Sequence, residues 1–135
     1  MSLKTSKASA SARCAAHTAL LNGGTLELRT GSPPSTPEST QTGTVLSTHT
    51  LPNPAFGTPV TTSGDAVATA NAITSVSASA TGTAGYFCAK DSSGNPVEIG
   101  TVTATGGGGD LTVDNTSIAS GQSIAITTWT ITDPT

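Results

Sequence analysis

Residues that usually carry catalysis or bind metal ions are few in this sequence. There are two histidines, His17 and His49, and two cysteines, Cys14 and Cys88, among 135 residues. Neither histidine has a carboxylate or a second ligand in its own segment, whereas a catalytic base or a metal site requires such a partner. We therefore interpret both histidines as ordinary polar residues, and the sequence predicts no metal site.

Two other patterns have the composition of a ligand site without its spacing. The glycine run 106–109 before Asp110 lacks the lysine and the helix that complete a phosphate-binding loop. Asp110 and Asp114 flank a predicted strand and do not alternate along a calcium loop. No nucleophile elbow occurs either. The sequence therefore predicts a protein that is not an enzyme and that binds no cofactor.

The charges of the chain are unevenly distributed. Lys4, Lys7 and Arg13 precede every acidic residue. All eight acidic residues lie at or after position 27, and the formal net charge is −3. An acidic body argues against a nucleic-acid partner. We expect Lys4, Lys7 and Arg13 either to contact an acidic neighbouring subunit or to belong to a solvated terminus.

The composition also limits the surroundings that suit the protein. Aromatic residues make up 3% of the chain and charged residues 10%, with many threonines, serines, alanines and glycines in their place. A surface of such low charge is suited to packing against other subunits. No stretch is apolar and long enough to cross a membrane, and Arg13 and His17 interrupt the segment that most resembles a signal peptide. We expect synthesis in the cytoplasm and no membrane partner.

The stretch from residue 82 to residue 102 predicts a β-hairpin around which the other segments are arranged. Side chains alternate over 86–91 and again over 97–102, and the residues between them are typical of a turn. A hairpin of this kind has one apolar face. It therefore needs a second layer of structure to cover that face.

The charged residues set the predicted direction of the side chains in this hairpin. An unpaired lysine is rarely buried, so Lys90 is predicted to point outward. The two-residue period then directs Tyr86 and Cys88 outward and Phe87 inward. On the returning strand Glu98 is likewise predicted to point outward, and its two neighbours inward.

The other segments predict one helix and several short strands. Alanine-rich residues 8–22 end at Gly23, which favours a short helix. Residues 31–43 are rich in proline and predict an extended loop. In the last segment the apolar parity changes between Ile126 and Trp129, so we predict a bulge that keeps both on the core side. Further strands are predicted over 25–30, 44–51, 66–73, 75–80, 110–114 and 122–132.

About eight strands with closely spaced turns predict an all-β fold. We expect an antiparallel β-sandwich or jelly roll with a short N-terminal helix or arm. The arm and helix would occupy residues 1–24, and the sandwich residues 25–135. The predicted core contains Phe87, Val97, Ile99, Leu111, Val113, Ile124 and Ile126.

The segment TAGYFCAKD resembles the strand that ends at the second cysteine of antibody variable domains. Such a domain needs a tryptophan soon after its first cysteine, but the one tryptophan here is Trp129. Cys14 also lies in the predicted helix and not in a strand. We therefore reject this relationship and expect Cys14 and Cys88 to be free thiols.

From Leu20 to Thr132 the order of segments resembles a group of small virion proteins of tailed bacteriophages. The segments that carry the resemblance are LLNGGTLELRTGSPPSTPEST, TGTVLSTHTLPNPAFG and ATANAITSVSASATGTAGYFCAKDSSGNPVEIGTVTATGGGGDLTVDNTSIASGQSIAITTWTIT. Within them the GTAGYF step, the DLTVDNTSIASGQ segment and the threonine-rich last strand occur together. The group is similar to capsid decoration, or cement, proteins with a β-sandwich, and it has no catalytic residues.

This resemblance implies a virion structural protein on the outer capsid surface that stabilises the head through many weak contacts. Its implied partners are the major capsid protein and further copies of itself, as a dimer or trimer. Two alternatives stay open from the sequence. One is a tail or head–tail connector component. The other is a carbohydrate-binding fibre module, for which Tyr86 and Trp129 would be the available tyrosine and tryptophan.

Overall fold

The computed structural model describes residues 5–61 and 65–133, and within these ranges the chain forms one α-helix and ten strands. The mostly β prediction with one short helix is confirmed. The helix is α1 Lys7–Ala19, and the strands are β1 Thr25–Thr30, β2 Val45–Thr50, β3 Ala66–Thr69, β4 Val76–Ser77, β5 Gly82–Lys90, β6 Pro96–Ala104, β7 Leu111–Val113, β8 Ser117–Ile118, β9 Ser123–Ile124 and β10 Ile126–Asp133.

Helix α1 is held against the sheet by one stripe of small side chains. It begins after Ser6, whose hydroxyl accepts a hydrogen bond from the backbone N–H of Ser9 at 3.1 Å. Ala10, Cys14 and Thr18 recur at a spacing of four residues and are buried against β3 and β10. The helix is therefore packed on the body of the protein and is not a free arm.

Seven strands of the main sheet follow the order β2-β1-β5-β6-β7-β10-β3, while β8 pairs with β5 and β4 pairs with β9. The pairing is antiparallel except between β6 and β7, which run parallel. The sheet is therefore mixed, and the purely antiparallel prediction is wrong at this pair. The physical reason lies in residues 105–110, which return the chain along β6 before β7 starts in the same direction.

The glycine run makes this short return possible. Gly106 and Gly108 adopt φ values of +88° and +82°, which side chains disfavour. A Cβ atom at Gly107 or Gly109 would lie 2.8 Å from the Thr103 side chain. The backbone N–H of Gly109 also donates to Thr103 Oγ1 at 3.0 Å. The glycine run is thus a closed loop packed on β6.

Strands β5 and β6 form the predicted hairpin, but the predicted directions of Glu98 and Ile99 on β6 are wrong. Ala89 lies opposite Glu98, and Cys88 lies opposite Ile99. Directly opposed residues share a face, so Glu98 lies on the face of Ala89, and Ile99 lies on the other face. The prediction failed because Glu98 has an ion-pair partner on that face, His17 of α1.

Both faces of β5 are covered, which the sequence did not predict. Tyr86 and Cys88 were expected to be solvent-facing, yet each is fully buried. The Tyr86 hydroxyl donates to the Thr42 carbonyl at 2.7 Å and accepts from the Thr42 N–H at 3.0 Å. The proline-rich loop 31–43 therefore covers the outer face of the hairpin at Tyr86.

The core is centred on Trp129, whose ring meets Phe56 at 4.7 Å and Phe87 at 5.4 Å between centroids, both edge to face. In a flat sheet β5 and β10, which are three strand positions apart, would be separated by about 14 Å. Because Phe87 of β5 and Trp129 of β10 are in ring contact, the sheet curves around this core. The predicted bulge is confirmed, since the register shifts between Ile126 and Thr128.

The predicted core is largely confirmed. Four of its members are buried and two more pack half-buried against the same cluster, whereas Ile99 lies outside it. The buried members are Phe87, Leu111, Val113 and Ile124, and the half-buried ones are Val97 and Ile126. Cys14 and Cys88 are buried and form no disulfide, as predicted.

Candidate interaction surface

Two of the three basic residues predicted to contact a neighbour lie exposed on α1. They are Lys7 and Arg13, whereas Lys4 lies outside the described residues. The Arg13 guanidinium donates to Ser9 Oγ at 3.0 Å and to Thr5 Oγ1 at 3.2 Å, so it lies along its own helix. A spacing of six residues places Lys7 and Arg13 about 120° apart around the helix. The structure therefore does not combine them into a single basic stripe.

The basic residues of the sheet are paired within the body. Glu27 accepts from Arg29 Nη2 at 2.9 Å and from Lys90 Nζ at 3.2 Å. Cys88 lies beside this group on the adjacent strand, and burial raises the pKa of its thiol. Lys7 and Arg13 are thus the exposed basic residues of the described chain.

An uncharged groove of about 360 Å³ lies beside the C-terminal half of α1, and we call it the helix-side groove. Its walls are α1 and the loop 54–59. Leu20 and Val60 are the large apolar side chains exposed in the described chain, with exposed fractions of 56% and 57%. Each directly follows a lining residue in the sequence, Leu20 after Ala19 and Val60 after Pro59, although neither belongs to the lining itself.

Side-chain hydrogen bonds fix the loop that forms the outer wall of the helix-side groove. Asn22 Oδ1 accepts from the backbone N–H of Ala55 at 2.8 Å. Asn71 Nδ2 donates to the Pro54 carbonyl at 2.9 Å. Phe56 reaches from the same loop to the Trp129 ring of the core. These contacts hold the groove in a defined shape, and they join segments that are far apart in the sequence.

A second depression of about 580 Å³ lies between β6 and β10, and we call it the sheet gap. His17 Nε2 lies 2.8 Å from Glu98 Oε2 in its lining, and Asp110 lies at the glycine loop. The segment of His17 contains no carboxylate, and its partner Glu98 comes from β6 instead. The two residues are 81 positions apart, so only the folded chain brings them together.

His49 is buried on β2 and fully hydrogen-bonded. Its Nδ1 lies 3.2 Å from the Thr74 carbonyl, and its Nε2 lies 3.1 Å from Ser47 Oγ. Burial lowers the pKa of His49, although the bond to the Thr74 carbonyl partly opposes this shift. Ser47 is also buried, so this serine–histidine pair is closed to substrate and acts as a structural contact.

Threonines occupy one face of the sheet across β6, β7, β10 and β3. Registered pairs on this face are Thr103 with Thr112, Thr112 with Thr128, and Thr130 with Thr69. The Thr112 hydroxyl bonds that of Thr128 at 2.6 Å. This face carries hydroxyl and methyl groups and no charge at the registered positions, which agrees with the low charge content of the sequence.

Among residues 5–61 and 65–133, no three histidine, cysteine or acidic side chains lie close enough to hold a metal ion. In the same part of the chain, no helix has the length and apolarity to cross a membrane. Comparison with known proteins found no matching family model, no matching curated protein and no matching solved structure.

Proposed function

We propose that this chain is a structural protein of a bacteriophage virion, bound in many copies to the outer capsid surface, where it stabilises the head. One observation of the fold supports this proposal most directly. The helix-side groove is uncharged, and Leu20 and Val60, which each follow a lining residue in the sequence, are exposed, as are Lys7 and Arg13 of α1. Exposed apolar side chains near an uncharged concave surface are typical of a protein-binding site.

The proposed attachment uses the surface of α1 and not a flexible arm. Burial of an apolar side chain stabilises a contact by about 1.5–3 kcal/mol when it is complete, and Leu20 and Val60 are already partly covered. Exposed ion pairs through Lys7 or Arg13 would add about 0–1 kcal/mol each. Each site is therefore weak, and retention on the particle comes from a dimer or trimer that binds repeated sites of the major capsid protein.

The same proposal extends to fold type and chemistry. We propose that the curved mixed sheet belongs to the sandwich or jelly-roll class of the decoration proteins that the sequence resembles, and that the protein has no catalytic role. Phe56, Tyr86, Phe87 and Trp129, which are all the aromatic residues of the chain, are buried. A carbohydrate-binding fibre module would need an exposed ring for stacking, so this alternative has no support in the fold.

The proposal is tested by adding purified protein to phage heads that lack it. The double variant Leu20→Ser, Val60→Ser should bind at least about tenfold more weakly, because 1.4 kcal/mol corresponds to a factor of ten. Lys7→Glu should weaken binding at low salt and have little effect at high salt. Bound protein is measured by co-sedimentation, and head stability by genome release on heating.

A matched control separates a local effect from a change in net charge. Ser35→Glu with Thr40→Glu alters the net charge as much as Lys7→Glu does, at exposed positions of the loop 31–43. This control should bind like the unmodified protein. Equal binding of the double variant and the unmodified protein would contradict the proposed surface. Binding to isolated tails or connectors and not to heads would favour the tail or head–tail connector function instead.

A further inference from the structure

The sheet gap is a place where a strand is missing from the interior of the sheet. Strand β7 separates β6 from β10 for three residues, and its pairing ends at Leu111 opposite Val102 and Trp129. Beyond that point no strand of the described chain lies between residues 98–101 of β6 and 130–132 of β10. Two strand spacings amount to about 9.5 Å, which leaves room for one more strand.

The backbone groups on both walls of the sheet gap point into it. On β6 the N–H of Thr101 points away from β5, since it donates to Asp110 Oδ2 at 3.1 Å. The two-residue period gives Ile99 the same direction. On β10 the Trp129 carbonyl points toward β3, since it accepts from the Ala70 N–H at 2.9 Å. Backbone groups alternate in direction along a strand, so the N–H and C=O groups of Thr130 and Thr132 face the gap.

The outer edges of the same sheet are bonded by other segments of the chain. Beside β3, Val60 and Val67 exchange two backbone hydrogen bonds of 2.8 Å. Beside β2, the N–H of Ser79 donates to the Leu46 carbonyl at 2.8 Å. Open strand edges attract other strands, and two edges face each other across the sheet gap. The β6 edge is bonded by Asp110 at Thr101, so an added strand would pair with β6 from Ile99 onward. The sheet gap is therefore the position in this sheet that best suits an added strand.

The charged lining of the sheet gap indicates the sign of its occupant. Glu98 and Asp110 line it, and His17 forms an ion pair or a neutral hydrogen bond with Glu98 according to its protonation. Exposed hydroxyls of Thr130 and Thr132 complete the β10 side. An acidic, hydroxyl-lined slot between strand edges complements an extended chain with a lysine or arginine side chain.

We propose that the sheet gap binds an extended polypeptide segment of a partner protein that carries a lysine or arginine. The segment inserts between β6 and β10 in line with β7 and forms main-chain hydrogen bonds to both walls, with its cationic side chain directed to Asp110 and Glu98. This assignment rests on the geometry of β6, β7 and β10. It holds whether or not the helix-side groove binds a capsid.

The test is an NMR titration of the full-length, ¹⁵N-labelled protein with the blocked pentapeptide TVKVT. Amide signals of Ile99, Thr130 and Thr132 should shift, and their hydrogen exchange should slow, at millimolar peptide. The peptide TVEVT should bind at least about tenfold more weakly. Absence of these shifts with TVKVT, or equal binding of both peptides, would overturn the proposal.

N-methylated peptides distinguish the sheet gap from an outer edge. A strand inserted between two walls uses the N–H groups on both of its sides. N-methylation of the odd-numbered amides of the peptide, or of the even-numbered ones, should therefore abolish binding in each case. A strand added to the edge of β2 or β3 uses one side, so only one parity would matter. Loss of binding with a single parity, or shifts confined to β2 or β3, would therefore contradict the assignment.

A pair of charge variants tests the role assigned to the lining. Asp110→Asn removes one charge from the sheet gap and should weaken TVKVT binding at least about fivefold. It should not weaken the binding of TVEVT. Asp114→Asn makes the same chemical change at an exposed position outside the lining and should leave binding unchanged. Equal effects of the two variants would show that only net charge matters and would overturn the proposal. Their NMR spectra also report whether each variant is folded.

Discussion

At the scale of single residues, His49 shows how burial fixes the state of a titratable group. Its exposed fraction is 0%. A neutral ring satisfies both of its contacts, since Nδ1–H donates to the Thr74 carbonyl while Nε2 accepts from the Ser47 hydroxyl. A protonated ring at the same place would be a buried charge, and neither of these two partners is anionic. The fold therefore favours the neutral form and lowers the pKa of His49 below its ordinary value of 6.5.

The lowered pKa of His49 predicts a loss of stability in acid. Well above pH 6.5 His49 is neutral in both states, so it adds no pH dependence there. As the pH falls below 6.5, the unfolded chain takes up a proton that the folded chain does not. The free energy of unfolding then falls by up to about 1.4 kcal/mol per pH unit until the pH reaches the lowered pKa.

The measurement is a series of urea denaturation curves between pH 8 and pH 5. His49→Gln should be less stable at pH 8 but should lack the part of the acid slope that His49 causes. His17→Gln is a matched control, because it removes the other histidine, which is half-exposed beside Glu98. Parallel pH profiles for the unmodified protein and His49→Gln would show that His49 is not the source of the slope.

At the scale of elements, the sequence predicted those strands whose side-chain pattern depends on local burial. β1 was predicted over its full length, because Leu26 and Leu28 pack into the core while Glu27 and Arg29 pair on the other face. On β6 the predicted direction of Glu98 is wrong, because its ion-pair partner, His17, lies on a helix distant in the sequence. A pattern within one strand contains no information about such a partner.

The glycine loop between β6 and β7 illustrates a second limit of prediction from sequence. Four consecutive glycines indicate flexibility when they are considered alone. In the fold, two of them need positive φ and the other two approach Thr103 closely. Composition therefore located the loop, but its packing and the parallel pairing of β7 depend on contacts that form only when the chain returns along β6.

This packing predicts different costs for two glycine substitutions. Gly109→Ala should reduce the free energy of unfolding by about 1–3 kcal/mol, because its Cβ would lie 2.8 Å from Thr103 Oγ1, the atom that accepts the Gly109 N–H. Gly57→Ala is the matched control, since its Cβ would lie 3.7 Å from the nearest atom. It should change stability by less than about 1 kcal/mol in either direction. Urea denaturation measures both values, and equal costs would contradict a closely packed loop.

At the scale of the whole molecule, the candidate surfaces combine elements that are distant in the sequence. Lys7 and Arg13 could be predicted as exposed from their charge alone. The helix-side groove and the sheet gap could not, because the groove joins α1 to the loop 54–59 and the gap joins β6 to β10. The role of Lys7 and Arg13 in contacting a neighbour stays a prediction.

The division of the chain at residue 24 also stays a prediction, and the packing of α1 suggests how to test it. Ala10 and Cys14 of the helix belong to the same buried cluster as the sheet residues Leu111 and Trp129. A helix that shares its core with the sheet should unfold together with it. The two buried thiols are suitable reporters, since Cys14 lies on α1 and Cys88 lies on β5.

We therefore predict that Cys14 and Cys88 become reactive at the same urea concentration. In the folded protein both should resist a short pulse of iodoacetamide, because each has an exposed fraction of 0%. Mass spectrometry of the two cysteine-containing peptides gives the labelled fraction of each thiol across the unfolding transition. Coincident midpoints are expected for a single cooperative unit. Labelling of Cys14 at a clearly lower urea concentration would instead mean that α1 detaches first, and residues 1–24 would then form the separate unit that the sequence predicts.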